Sequence, residues 1–235
     1  FSLCPLLAFA QITDPKATEV WQPEVRVVTP GVATQPPSDA IVLFDGKNLN
    51  EWMSAKDSTN AKWDVNTAEG SVTVKPSTGD MMTKRSFGDV QLHVEYREPA
   101  VVKGEGQGRG NSGIFLQSRY EVQVLDCYQN RTYSNGQTGS IYKQSIPLAN
   151  ACRKPGEWQT YDIIFHPPTT GADGKTLPGS FTVIHNGVLV QDHIPVNGDA
   201  TTAAKFSGTT PRGPLLLQDH GNPVRYRNIW VRKLN

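Results

Sequence analysis

The feature that most constrains this chain is a run of short segments in which apolar and polar side chains alternate. They include "WDVN", "SVTVK", "VQLHVEYRE", "SGIFLQS", "YEVQVLD" and "QTYDIIFH", followed by "SFTVIHNGVLVQD", "GPLLLQDH" and "VRYRNIWVRKL". Side chains of a strand point alternately to its two faces, so each segment can bury one face and wet the other. Nine or more such strands with no helical pattern between them predict an all-β fold, a two-sheet jelly-roll sandwich. Within "IHNGVLV", Asn186-Gly187 predicts a type I′ hairpin turn. "KGEGQGRGNSG" (103–113) is glycine-rich but opens no helix, which removes the context a phosphate-binding loop needs.

A sandwich of about 200 residues is ordinary for one domain, and 235 residues leave room for a lead-in. The lead-in, residues 11–38, carries five prolines and little apolar period, with one edge strand expected at "EVRVV" (24–28). The globular domain is expected over residues 39–235. Against 23 basic residues stand 22 acidic ones, and that balance gives no electrostatic case for nucleic acid or an anionic membrane.

"FSLCPLLAFAQ" reads as the tail of a secretory signal peptide, residues 1–10, ending in an A-x-A site. It is too short to span a membrane. Export, to the periplasm or beyond the cell, would remove Cys4 and leave Cys127 and Cys152 as an even pair, which predicts a disulfide. Closing that loop would contribute about 3 kcal/mol.

The wet faces are chemically biased. Gln91, His93, Glu95 and Arg97 share one face of their strand, Glu121 and Gln123 one face of theirs, and Arg225 and Arg227 one of theirs; Gln218 and His220 lie together near the end of another. One reading is a solvated sheet with cross-strand ion pairs, each contributing under about 1 kcal/mol. The other is a carbohydrate groove, because arginine forks and amides suit oriented hydroxyls. Recurrence over four strands favours the groove.

The blocks "AIVLFDGKNLNEW", "NSGIFLQSRYEVQVLD", "GSIY", "KPGEWQTYDIIF", "HNGVLVQD" and "LLLQDHGNPVRYRNIWVR" occur in the order seen in the 3-keto-disaccharide hydrolase family. The resemblance covers residues 39–235. It implies a concanavalin A-like lectin/glucanase sandwich, exported, acting on oxidised di- or oligosaccharides or glycosides that a separate sugar 3-oxidoreductase supplies. A ketone at C3 acidifies the C2 hydrogen, so a base can form an enolate that expels the C1 substituent, after which water adds. The alternatives are a non-catalytic carbohydrate-binding module and a conventional two-carboxylate glycosidase.

The resemblance makes Glu121 the first candidate for base or metal ligand and His220 the second candidate for acid, base or ligand. Glu95 and Arg97 join them if their strand shares a sheet with Glu121, and Glu95 could then be a second carboxylate. Asn111, Gln123, Gln218 and Tyr142 are candidates for sugar binding, and Arg225 or Arg227 for donors to the ketone or enolate oxygen. Each also has a plain structural reading, as an ion pair, a turn former or a strand start. No cofactor is implied beyond a possible divalent metal, whose ligands the sequence leaves open. Gln117 and Gln159 depart from the family pattern, which has Arg and Asn there.

Overall fold

The computed structural model describes residues 13–234; the expected signal-peptide remnant, residues 1–10, lies outside them. The first strands are β1 (Ile41–Phe44), β2 (Trp52–Ser54), β3 (Asp64–Asn66), β4 (Ser71–Thr73) and β5 (Met81–Phe87). Next come β6 (Val90–Arg97), β7 (Ser112–Leu116), β8 (Tyr120–Val124), β9 (Gln159–His166), β10 (Thr169–Thr170) and β11 (Thr176–Leu177). The last are β12 (Ser180–His185), β13 (Val188–Pro195), β14 (Gly213–Leu217) and β15 (Arg225–Lys233). No helix among the described residues is long and apolar enough to cross a membrane.

Two antiparallel sheets form the expected sandwich. The larger runs β13-β12-β9-β6-β15-β4-β3, with β1 also on β15, and the smaller runs β2-β5-β14-β7-β8. Between them the alternating apolar residues close the core: Leu92, Val94, Tyr161, Ile163, Phe165 and Val183 from the larger sheet meet Ile114, Leu116, Val122, Val124, Leu215 and Leu217 from the smaller. Two of the buried tyrosines also find hydrogen-bond partners across the core. Tyr161 donates to the Gln123 carbonyl at 2.7 Å, and Tyr226 to Ser112 Oγ at 2.7 Å. Both bonds tie the backs of β7 and β8 to the larger sheet, which fixes the outward direction of the polar residues on those strands.

Asn186-Gly187 forms the expected hairpin turn, with φ of 51° and 81°. The glycine-rich loop is pinned by Asn130, which accepts from Gly106 N at 2.8 Å and donates to its carbonyl at 3.0 Å. The edge strand expected at 24–28 does not form. Instead, residues 26–39 strap the outer face of the larger sheet. The Thr34 carbonyl accepts from Asn228 and Trp230, and Asp39 pairs with Arg232 and Arg26.

The expected disulfide is not formed: Cys127 and Cys152 are free thiols. Cys152 Sγ donates to the Leu125 carbonyl at 4.0 Å. The interaction of the two thiols lowers the Cys127 pKa and raises that of Cys152, with burial adding to the rise. Thr138 N also donates to Cys127 Sγ at 3.2 Å.

On the outer face of the larger sheet, Glu95 accepts from Arg227 Nε at 2.6 Å and from Asn228 Nδ2 at 2.9 Å. Asn228, at φ 46°, sits in the bulge of β15 that makes this reach possible. Burial alone would push the Glu95 carboxyl up, but the His93 imidazole 3.8 Å away and the hydrogen bonds from Asn228 and Arg227 outweigh it and hold the pKa at about 2. Because that value lies below the ordinary 4.5, the contribution to stability is complete above pH 4.5 and is lost as pH falls through about 2. Acid titration followed by circular dichroism should therefore show Glu95→Gln less stable than wild type at pH 6, with the difference vanishing towards pH 2. Because the Arg227 side chain is 35% exposed, the loss is that of a hydrogen bond to a charged group, about 1.5–3 kcal/mol.

Candidate functional site

The outer face of the smaller sheet is built from the residues that alternate away from its core. Register places Met82 beside Leu216, Leu216 beside Phe115, and Phe115 beside Glu121. The adjacent row holds Gln123 beside Gly113 and Gln218, whose N–H donates to the Gly113 carbonyl at 3.0 Å; Asp80 ends that row, one residue before β5. Asp219 N donates to Asp80 Oδ1 at 2.9 Å, and Lys205 forms an ion pair with Asp80 Oδ2.

Glu121 leans from its own row over Gly113. An ideal Cβ at Gly113 would stand 2.5 Å from Glu121 Oε1, so only glycine admits the carboxyl there. Glu121 is 2 % exposed and its Oε2 has no hydrogen-bond partner among the described residues. Burial first, and the negative charge of Asp80 second, raise its pKa to about 8. A carboxyl poised near neutrality is suited to general acid–base work. Two further acceptors lack partners, Gln123 Oε1 and Gln218 Oε1. The Gln123 amide donates to Gln107 Oε1 at 3.0 Å, which orients its carbonyl oxygen.

The segment after β8 folds back along its free edge. Tyr142 N donates to the Glu121 carbonyl at 3.0 Å, and Gln123 N to the Ser140 carbonyl at 3.1 Å. This brings the Tyr142 side chain to the site, where its hydroxyl meets that of Tyr133 at 2.6 Å. Burial, the Tyr133 hydrogen bond and the charge of Glu121 hold the Tyr142 phenol protonated, with a pKa of about 12. Lys143 covers the Tyr133 ring, its Nζ 3.5 Å from the centroid.

Of the residues expected from the sequence, Glu121, Gln123, Gln218 and Tyr142 come together on this face. His220 is exposed two residues past Gln218 and makes no hydrogen bond among the described residues. Asn111 is buried and shapes the loop: its Nδ2 donates to the Gln107 carbonyl at 2.7 Å, and its N–H to Asn222 Oδ1 at 2.8 Å.

The expectation that Glu95 and Arg97 point with Glu121 is corrected, because β6 and β8 lie in different sheets. Glu95, Arg97, Arg225 and Arg227 all face outward from the larger sheet, on the far side of the core. There the ion-pair reading holds. Arg97 and Arg225 share Glu69, Arg227 binds Glu95, and the Arg97 and Arg227 guanidiniums stand 4.6 and 4.1 Å from the Trp158 ring centroid. Glu95→Gln should accordingly leave turnover near wild type despite its cost in stability, which a steady-state assay at pH 7 checks.

Sequence reasoning missed Asp80, Lys205 and the role of Gly113. Asp80 precedes a strand with little alternation, and Lys205 sits in a loop; only the glycine of "NSG" left a trace. No group of three or more His, Cys, Asp or Glu side chains able to hold a metal ion occurs among the described residues. Around Glu121 the nearest acid, Asp80, is engaged by Lys205, so this donor set does not fit a divalent ion.

Residues 39–232 match the model of the 3-keto-alpha-glucoside-1,2-lyase-like domain family. A protein of Bacteroides thetaiotaomicron named 3-keto-disaccharide hydrolase is 28% identical over 255 residues, covering 86% of this chain and 81% of that protein. The crystal structure of a candidate glycosyl hydrolase from Parabacteroides distasonis shares 51% identity and a TM-score of 0.86, covering 94% of this chain and 97% of that one. A second Parabacteroides distasonis structure, at 17% identity and a TM-score of 0.63, shares the fold.

Proposed function

Since the chain belongs to the 3-keto-alpha-glucoside-1,2-lyase-like family, we propose that it cleaves 3-keto-glycosides by elimination across C1–C2 followed by hydration. The observation that carries this is the buried Glu121 carboxyl, with a pKa of about 8 and an unpaired oxygen beside the unpaired acceptors of Gln123 and Gln218. Ionised Glu121 takes the C2 proton, which the neighbouring ketone has acidified. The electron pair moves into a C2–C3 double bond and onto the C3 oxygen, then returns to expel the C1 oxygen. We assign protonation of that leaving oxygen to His220, exposed two residues past Gln218. Water adds across the resulting C1–C2 double bond, so the net change is hydrolysis. Gln123 and Gln218 accept from sugar hydroxyls, and Tyr142 lines the same face. Because the substrate carries a ketone, a sugar 3-oxidoreductase must precede this step.

A two-carboxylate glycosidase is the second reading, favoured by Asp80 sharing the face of Glu121. Asp80 is already bound by Lys205 and by the Asp219 N–H, so both of its oxygens are engaged. Incubation with a 3-keto-disaccharide and with its unoxidised parent separates the possibilities. Cleavage of the keto sugar alone is expected. Cleavage of the parent alone would establish the glycosidase, and cleavage of neither a binding module.

A further inference from the structure

Elimination places negative charge on the C3 oxygen, and that charge needs a donor or cation beside it. The arginines expected for this task lie across the core. Lys205 is the cation that reaches the face of Glu121. It stands in the segment between β13 and β14, which is tied to β8 and the turn before it on both sides of the lysine. Thr201 N donates to the Arg119 carbonyl at 2.9 Å, and Thr201 Oγ1 accepts from Glu121 N at 3.1 Å. Beyond the lysine, Arg119 Nε donates to the Ser207 carbonyl at 3.1 Å.

The ammonium rests on Asp80, whose side chain is 2% exposed, while the lysine side chain is 61% exposed. It is therefore held from below and open from above. Asp80 lies in the row that leads through Gln218 to Gly113, the residue over which the Glu121 carboxyl sits. Two strand spacings, about 10 Å, separate the backbones of Asp80 and Gly113. That span suits one pyranose ring with the base at one side and the cation at the other. The other cations nearby are committed: Lys143 covers Tyr133, and Arg119 donates to the Gln117 and Ser207 carbonyls.

We propose that Lys205 is a catalytic residue whose ammonium, seated on Asp80, donates a hydrogen bond to the C3 oxygen of a 3-keto glycosyl unit. This rests on the elimination reading. As the C2–H bond breaks, the proton goes to Glu121 and the electron pair passes through C2–C3 to the C3 oxygen beside Lys205. An ammonium has three donors, so the bond to Asp80 leaves two for substrate. No proton leaves Lys205, and collapse of the enolate returns the electron pair towards C1.

The test is the full chain as wild type, Lys205→Met, Lys205→Arg and the double variant Lys205→Met/Asp80→Asn. Each is assayed over a range of pH for cleavage of a 3-keto-disaccharide and for deuterium exchange at its C2. Losing one such donor costs about 10²–10³-fold in kcat. The expected result is a loss of that size in the pH-independent plateau for Lys205→Met, with slower exchange. KM should change little, Lys205→Arg should recover part of the rate, and the double variant should stay slow. If Lys205 merely neutralises Asp80, Lys205→Met will displace the pH profile upward and leave the plateau intact, and the double variant will match wild type; either result overturns the assignment. A wild type that leaves the keto sugar untouched overturns the elimination reading and this assignment with it. A wild type that cleaves while Lys205→Met equals it overturns the assignment alone.

Discussion

Glu121→Gln should lower kcat for 3-keto-disaccharide cleavage by about 10²–10⁴-fold, the usual contribution of a positioned base, and should at the same time make the protein harder to unfold at pH 8. The two effects share one cause. Burial and the charge of Asp80 hold the carboxyl at about 8, well above its ordinary 4.5. A group raised in this way is protonated in both states below pH 4.5. Between about 4.5 and about 8 the folded state keeps a proton that the unfolded state has released, so stability declines with rising pH across that window. Glutamine does not titrate, and the variant escapes the decline. Thermal melts at pH 4, 6 and 8 should show a difference in melting temperature between variant and wild type that moves in favour of the variant at each step. In wild type, kcat/KM should rise through about pH 8 as the base ionises. A large loss of stability in Glu121→Gln at every pH would make Glu121 structural.

Gly113→Ala should be nearly as damaging by a different route. The new methyl would stand 2.5 Å from Glu121 Oε1 and 2.8 Å from Phe115 Cε2, so one of them must move. Overpacking of this kind costs about 1–3 kcal/mol. Displacing the base by even about 1 Å can cost about 10²-fold in rate. Urea unfolding and steady-state kinetics measure the two effects. Combining Gly113→Ala with Glu121→Gln should add little further loss of rate, because the methyl acts through the carboxyl it displaces. Full additivity in the rates would instead place the glycine's effect elsewhere, for instance at Phe115.

Alternation along single strands was enough to assign most faces correctly. Val122 and Val124 are buried in the core, and Glu121 and Gln123 point away from it, as period two requires. It could not say which sheet each strand joins, since that depends on pairing between segments distant in the chain. Hence Glu95 and Glu121, alike in pattern, lie on opposite sides of the molecule. β5 (Met81–Phe87) escaped notice because "MMTKRSF" carries three exposed residues in a row. With it went Asp80, one residue before its start. Lys205 has no local signature at all: its meaning comes from a contact with a residue 125 positions away in the chain. The cysteine pair shows the converse. Parity and spacing brought the right two residues together, but chain arithmetic does not specify the oxidation state of two adjoining sulfurs.

The strap over residues 26–39 gives the molecule a back and a front. It lies on the sheet opposite Glu121, held by Thr34 and Asp39. A bead, surface or partner domain coupled ahead of the strap therefore attaches on the rear side, and the face that carries Glu121 looks away from whatever holds it. Attachment by that route is a way to array the protein with that face unobstructed, whereas coupling through Lys143 or Lys205 would mask it.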